Sequence, residues 1–277
     1  MALNINSNIL SLNAQYNLNK TTNNLSNTMT RLSTGLKINT ASDNAAGLAI
    51  AQGFTADINI SSQGLNNAQD GINLLNVADG ALSSMTDMAQ RLLVLAQQAS
   101  NGTVSSSQRG NIGSEFGKVL TALGAIGDNT SFNGTKLLDG TASNIIIQLG
   151  ASATDKETIK LDSAKLDALS ISGISISSST TVSNAVSLVV KLKAAVDILS
   201  SNRAKVGAQQ SVLNSDIVSI GLKINALSQS RSSIMDIDVA QETANLTLFQ
   251  IKQQAAVSIL SQANSQPQIA LSLLNGR

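Results

Sequence analysis

The sequence predicts a mainly α protein, a bundle of long antiparallel coiled-coil helices with a small β-hairpin element in the middle of the chain. Three observations carry that prediction. Alternating steps of three and four residues from Val189 land on Leu192, Val196, Leu199, Arg203, Val206, Gln210, Leu213, Ile217, Ile220, Ile224, Leu227, Arg231 and Ile234; only Arg203, Gln210 and Arg231 break the aliphatic row. Such stepping lines apolar residues along one narrow stripe of an α-helix, the seam of a coiled coil. The same stepping recurs at Ala68, Ile72, Leu75, Asp79, Leu82, Thr86, Ala89, Leu93 and Ala96. Finally, the 277 residues include one Pro, one Tyr and no Trp, so the aromatic blocks that usually fill a compact core are scarce. A helix from Val189 to Ile234 spans roughly 65–70 Å and needs partners along its seam.

Composition narrows the function. There is no Cys and no His. Disulfides, thiolate nucleophiles and thiolate metal sites are thereby absent, and so is the usual acid–base group near neutral pH. This is not the composition of an enzyme, and no cofactor or metal is expected. A net charge of +1 makes no case for nucleic acid. No apolar run approaches the 18 or so residues of a membrane span. The first residues, Met1-Ala2-Leu3-Asn4-Ile5-Asn6, have neither the basic nor the apolar region of a cleaved signal peptide.

Taken in order, residues 1–42 contain Lys20, Arg31 and Lys37 and no acid. Leu18, Leu25 and Leu32 fall seven apart, with Met29 one turn after Leu25, which predicts a helix seam, although the surrounding Ser, Thr and Asn are weak helix formers. Residues 33–44 read as a polar connection. A helix reopens at Ala45 and runs to about Gln98, and a turn follows over 99–103. A third helix is predicted over 105–127, weakened by Gly110, Gly113, Gly117 and Gly124, since an interior Gly costs about 1 kcal/mol relative to Ala. A turn-rich stretch, 127–134, comes next. Asn144–Leu149 and Thr158–Leu161 are β-branched runs that predict one hairpin, with Leu169, Ile171, Ile174 and Ile176 as a possible edge segment. Residues 170–183 are Ser/Thr-rich and expected to be exposed, and the long helix begins near Ser183. Beyond Ile234 a second seam appears in a shifted register: Leu246, Gln250, Gln253, Val257, Leu260, Asn264, Pro267, Leu271 and Leu274. No acid follows Glu242. The two ends are therefore alike, helical and acid-free. Either this is chance in a chain of low charge, or the two ends form a layer together that is buried only when many copies assemble.

Particular blocks resemble a known family. Arg31-Leu32-Ser33-Thr34-Gly35-Leu36-Lys37-Ile38-Asn39, continuing through Ala51, is similar to the N-terminal hallmark of bacterial flagellins. Asn67-Ala68-Gln69-Asp70-Gly71-Ile72, Thr130-Ser131-Phe132-Asn133-Gly134 and Asn202-Arg203-Ala204-Lys205-Val206-Gly207-Ala208 resemble further recurring blocks. So do Arg231–Asp238 and the stretch from Gln253 to Leu274. The blocks lie in order and cover the chain except for about 140–185. The resemblance implies a filament subunit that polymerises with many copies of itself into the flagellum. In the family both termini pair as helices in an inner tube, D0, and long helices form a D1 bundle around it. Carried onto this chain, that gives 1–44 as the N-terminal D0 helix and connection and 45–139 as the N-terminal D1 helices. Residues 140–182 become a small β element of D1, 183–235 the C-terminal D1 helix and 236–277 the C-terminal D0 helix. Leu18, Leu25, Leu32, Leu246, Val257, Leu260, Leu271 and Leu274 are then the candidates for packing in the filament core. The resemblance also implies export through the flagellar type III apparatus without a cleaved signal, and partners in an export chaperone, the filament cap and hook-junction proteins. A hook–filament junction protein of the same superfamily is the alternative.

Some flagellins are recognised by a vertebrate Toll-like receptor, and the match places Arg91, Leu95 and Glu115 at the corresponding positions. The local run Gln90-Arg91-Leu92-Leu93-Val94-Leu95-Ala96 lacks the second Arg and the Glu of strongly recognised members. Arg203 and Arg231 either pair inside one subunit or reach a carboxylate such as Asp70, Asp236 or Asp238 on a neighbour. Gln250, Gln253 and Asn264 either mark a loose interface or provide soft packing that lets subunits slide between two arrangements. Pro267 predicts a kink or a stop, and the family resemblance favours a kink.

Overall fold

A computed structural model describes residues 7–142 and 144–275 of the chain, with side-chain surroundings through residue 267. The elements, in order, are α1 (Ile9–Thr34), α2 (Ala45–Ala99), α3 (Ser106–Asn129), β1 (Ser131–Phe132), β2 (Thr135–Lys136), β3 (Ile145–Gln148), β4 (Lys156–Ile159), α4 (Val182–Met235) and α5 (Val239–Asn275). The chain divides into a terminal unit, Met1–Ala56 with Ala226–Arg277, and a central unit, Asp57–Asn225; α2 and α4 contribute to both.

In the central unit, the seam of α4 predicted by the stepping is covered. Val189, Leu192, Val196, Leu199, Arg203, Val206, Gln210, Leu213, Ile217, Ile220 and Ile224 are all buried or half-buried. The α2 seam from Ala68 to Ala96 is covered in the same way. Two polar contacts tie the seams together. Arg203 Nε donates to Asp79 Oδ1 at 2.9 Å, and Gln210 Nε2 donates to Asn76 Oδ1 at 3.0 Å. Rising numbers on α4 meet falling numbers on α2, so the two helices are antiparallel. Leu75, Leu82, Met85, Leu92 and Leu95 from α2, Phe116 and Leu123 from α3, and Leu192 and Leu199 from α4 fill one core with little or no exposure.

The turn from α2 to α3 is built around a buried cation. Arg109 donates to the carbonyls of Ala99 at 3.0 Å, Val104 at 3.1 Å and Asn101 at 3.4 Å. A positive group at a helix C-terminus interacts favourably with its orphan carbonyls. Ser105 then starts α3 with a reciprocal capping box: its Oγ accepts from Gln108 N at 3.3 Å, and its N–H donates to Gln108 Oε1 at 3.0 Å.

The middle of the chain differs from expectation in three ways. The turn-rich stretch contains a hairpin of its own, β1–β2, closed by Asn133 (φ 48°) and Gly134 (φ 80°), the left-handed pair that a tight two-residue turn requires. The predicted hairpin is present as β3–β4, but its second strand starts at Lys156, two residues before Thr158. The loop sets that register, because Leu149 N donates to Asp155 O at 2.8 Å and Asp155 Oδ2 accepts from Ser152 N at 3.2 Å. Residues 169–176 form no strand. Ser170 (φ 57°) and Gly173 (φ 67°) break the extended path, and Leu169, Ile171, Ile174 and Ile176 are buried in the core. The exposed residues of the Ser/Thr-rich stretch are its polar ones together with Gly173 and Val182.

Glycines that weaken the helices in a propensity count are what let these segments lie on them. A Cβ at Gly64 of α2 would sit 2.0 Å from the carbonyl oxygen of Leu149, just after β3, and one at Gly113 of α3 would sit 1.9 Å from that of Ile176. Asn67 Nδ2 donates to Gln148 O at 2.8 Å beside the first contact. On the α4 side, Lys205 Nζ reaches Asp162 Oδ2 at 2.6 Å and Gln209 Nε2 donates to Lys160 O at 2.8 Å.

In the terminal unit α1 and α5 run antiparallel. Asn8 Nδ2 donates to Ala263 O at 2.8 Å, Ser11 Oγ donates to Asn264 Oδ1 at 2.7 Å, and Gln253 Nε2 donates to Thr22 Oγ1 at 3.4 Å. The connections pair as well: Lys37 N donates to Met235 O at 2.6 Å and Ile237 N to Gly35 O at 3.2 Å. The register shift after Ile234 coincides with a break, at which Asp238 Oδ1 accepts from the amides of Ala240 and Gln241 at 3.0 and 3.2 Å. Pro267 lies inside α5, which continues to Asn275.

Gly64→Ala or Gly113→Ala should lower stability by about 1–3 kcal/mol, the usual cost of forcing atoms into filled space. Gly117→Ala, with nothing within 4 Å of its Cβ, should raise stability by about 0.4–1 kcal/mol. Urea unfolding followed by circular dichroism checks both; similar effects at 113 and 117 would remove the close-approach account.

Candidate assembly surface

The terminal unit has a covered row and an outward row on each of its two helices. On α1 the covered row is Ala14, Leu18, Thr21, Leu25, Thr28 and Leu32, an alternation of four and three. On α5 it is Glu242, Leu246, Phe249, Gln253, Ala256, Leu260, Ala263 and Pro267. Leu18, Leu25, Leu32, Leu246 and Leu260 are thus half-buried along the α1–α5 pair. Val257 is 52% exposed, and the side chains of Leu271 and Leu274 lie outside the described residues.

The sequence seam of α5 and the covered row share 246, 253, 260 and 267 but differ at the steps between. The structure covers Phe249, Ala256 and Ala263 and leaves Gln250, Val257 and Asn264 exposed. Residues three and four beyond a seam position flank it on opposite sides. Here the flank with the aromatic ring and two small alanines is covered, and the flank with two amides meets water. Asn264 nonetheless accepts the hydrogen bond from Ser11.

Half a turn away lies an apolar row that the seam reading did not single out. On α5 it comprises Ala244, Leu248, Ile251, Ala255 and Ile259, and on the first turns of α1 it comprises Ile9, Leu12 and Tyr16. Ile251 is 59% exposed, Ile259 60% and Tyr16 68%. The signal was present as a second 3–4 alternation, Leu248, Ile251, Ala255, offset from the first. A helix apolar on both faces has more than one partner.

The loop between α1 and α2 is closed by one carboxylate. Asp43 Oδ2 accepts from the amides of Asn39 at 3.1 Å and Thr40 at 2.9 Å and from the Thr40 hydroxyl at 3.0 Å. Arg31 lies 3.9 Å from its other oxygen. The Thr40 and Asn39 amides hold the Asp43 carboxyl below the ordinary aspartate value of 3.8, and the Arg31 charge adds to the effect.

In the central unit Arg91 and Glu115 face each other across α2 and α3, both exposed, with Arg91 Nε donating to Glu115 Oε1 at 2.9 Å. Leu95 is only 2% exposed and belongs to the core. Beside the ion pair an open groove of about 390 Å³ is lined by Asp87, Met88, Arg91, Lys118, Val119 and Ala122. Arg203 pairs within its own chain, with Asp79, and the contact with its carboxylate keeps the guanidinium protonated above its ordinary range. Arg231 is exposed. Among the described residues no group of three or more acidic side chains comes together as a metal site would need.

Comparisons with known proteins match most of the chain. The model of the bacterial flagellin N-terminal helical region covers residues 5–143, and that of the C-terminal helical region covers residues 189–274. The flagellin of Listeria innocua is 36% identical over 288 residues, 98% of this chain and 99% of that protein. The flagellin of Halalkalibacterium halodurans is 36% identical over 271 residues, again 98% and 99% of the two chains. Among solved structures, the crystal structure of Bacillus cereus flagellin aligns with a TM-score of 0.51 at 28% identity, over 56% of this chain and 88% of that one.

Because folding lowers the pKa of Asp43, its contribution to the loop is complete above the ordinary value and is lost as pH falls through the lowered one. The amide resonances of Asn39 and Thr40 should therefore titrate with a midpoint below 3.8. Asp43→Asn should abolish that titration; a midpoint at or above the ordinary value in the parent protein would contradict the assignment.

Proposed function

This chain belongs to the bacterial flagellin family, and we propose that its paired ends form the surface that neighbouring copies cover. It is a structural subunit that self-assembles into the flagellar filament. The observation that carries the proposal is the outward row of the terminal unit, where Leu248, Ile251 and Ile259 on one helix and Leu12 and Tyr16 on the other stand in water in the single chain. Burying an aliphatic side chain of this size stabilises by about 1.5–3 kcal/mol relative to exposure, so assembly gains what the single chain forgoes.

The helix breaks at 35–44 and 236–238 divide the chain in the family's terms. The ends, 1–44 and 236–277, are the inner D0 layer; 45–139 and 183–235, with the β element of 140–182, are D1. Leu18, Leu25, Leu32, Leu246 and Leu260 join the two D0 helices to each other. Val257 flanks that seam and reaches a neighbouring copy; Leu271 and Leu274, the remaining candidates, have side chains outside the described residues. Export proceeds through the flagellar type III apparatus without a cleaved signal, and a chaperone, the cap and hook-junction proteins meet the chain in turn. Any Toll-like receptor contact is made by the exposed Arg91–Glu115 pair, since Leu95 is buried in the core. No catalytic role is assigned.

Deleting residues 1–40 or 245–277 should leave a soluble helical protein that forms no filaments on seeds. Ile251→Ser with Ile259→Ser should keep the helix content and lower the yield of pelletable filament at least about tenfold, equivalent to roughly 1.4 kcal/mol per added subunit. Normal filaments from either truncation, seen by electron microscopy, would overturn the proposal.

A further inference from the structure

Three Asn-Gly steps occur in the chain, and two of them, Asn101-Gly102 and Asn133-Gly134, lie wholly among the described residues. Both are followed by Thr, so the tripeptide Asn-Gly-Thr is the same at each. Their surroundings differ. Asparagine before glycine is open to an internal reaction, because glycine has no Cβ to hinder its amide nitrogen from approaching the neighbouring side-chain carbonyl.

At Asn101 the fold assists that approach. Both residues are exposed in the turn between α2 and α3, and nothing lies within 4 Å of where a Cβ on Gly102 would be. Asn101 Oδ1 accepts a hydrogen bond from the amide of Thr103 at 3.0 Å. This contact folds the side chain back over the Gly102 peptide. It also polarises the carbonyl under attack and stabilises the negative oxygen that develops there, as oxyanion-hole donors do. At Asn133 the fold opposes the reaction. Its backbone is held at φ 48°, next to Gly134 at φ 80°, in the turn of β1–β2. The pairs Phe132↔Thr135 and Ser131↔Lys136 flank it on either side, so rotation about its backbone has to open the hairpin.

We propose that Asn101 is a site of non-enzymatic deamidation in the folded protein. The Gly102 nitrogen bonds to Asn101 Cγ and loses its proton, the Cγ–Nδ2 bond breaks, and the amide group leaves as ammonia. Nothing is oxidised or reduced. Water then opens the five-membered imide at either carbonyl, giving aspartate or isoaspartate. The product changes the turn, because Arg109 is 9% exposed and donates there only to neutral carbonyls, Asn101 O included. An aspartate at 101 supplies it with a nearby anion. An isoaspartate carries the chain through Cγ, with one more main-chain carbon, and turns the former main-chain carbonyl into a free carboxylate.

The test incubates the full-length protein in mildly alkaline buffer, folded and in guanidinium chloride, and follows both Asn-Gly peptides by mass spectrometry after digestion. In the folded protein Asn101 should convert about tenfold faster than Asn133 or more, a barrier difference of at least about 1.4 kcal/mol, and in denaturant the two rates should converge. Conversion of Asn101 no faster than Asn133, or a gap that denaturant leaves unchanged, would overturn the proposal. As a second measurement, Asn101→Asp should raise the thermal midpoint in the parent background and leave it unchanged when Arg109 is replaced by Met. A gain that persists in the Arg109→Met background would remove Arg109 from the account.

Discussion

The antiparallel registration of α4 against α2 is the constraint on which the central unit depends. Its aliphatic seam supplies most of the stability, since each buried leucine contributes about 1.5–3 kcal/mol. The polar residues at seam positions do something else. Arg203 and Asp79 are each 39% exposed, and a pair so open to water contributes on the order of 0–1 kcal/mol. A seam of nearly uniform aliphatic residues would tolerate a slip of one heptad. A guanidinium facing a carboxylate, with Gln210 facing Asn76 two turns on, does not. Polar residues on a hydrophobic seam have this registering role in coiled coils generally. Once α4 and α2 are aligned, the β3–β4 hairpin has a helix backbone to lie on at Gly64, and residues 160–162 are held from the other side by Lys205 and Gln209.

The long helices were legible because each step of a 3–4 alternation repeats the same information. The α4 seam from Val189 to Ile224 is covered residue for residue, and the breaks near 99–105 and 236–238 fall where turn residues and the register shift put them. What was not legible depends on contacts between segments remote in sequence. Gly113 reads as a weak helix position until the Ile176 carbonyl is seen against it. Leu169, Ile171, Ile174 and Ile176 read as a strand because alternation is a property of both an edge strand and an irregular segment laid over a helix. On α5 the sequence seam shares 246, 253, 260 and 267 with the covered row, but it takes the flank of Gln250, Val257 and Asn264 where the structure covers Phe249, Ala256 and Ala263. The choice belongs to α1. The sequence leaves Arg203 either paired inside one subunit or reaching a carboxylate on a neighbour; in the structure it pairs with Asp79 of its own chain.

The two units answer different requirements. In the central unit a large core that includes Leu75, Leu82, Phe116 and Ile171 is hidden by the chain itself, while Ile146, Val190, Val218 and Leu222 stay exposed. In the terminal unit only Ala14, Ile38, Ala51 and Ala263 among the apolar side chains described are buried, while Ile9, Leu12, Tyr16, Leu248, Ile251 and Ile259 stay exposed. A domain that finishes its own core folds alone; one that leaves an apolar face needs copies. Both states are written in one sequence by giving some helices one apolar stripe and α5 two.

The charge of the ends has a consequence for a polymer that it lacks for a monomer. On α1 and on α5 beyond Glu242 there are Lys20, Arg31 and Lys252 and no carboxylate. One copy carries this as a local imbalance of little account. Were many copies packed with these helices side by side, Lys20 and Lys252, unpaired among the described residues, would repeat once per subunit, with no carboxylate on the same helix stretches to offset them. Such a layer would draw small anions from the medium. Because screening lengths shrink from about 30 Å at 0.01 M ionic strength to about 8 Å at physiological strength, the repulsion between such repeats would depend on the salt around them. Ionic strength would then enter the energetics of assembly as well as those of the single chain.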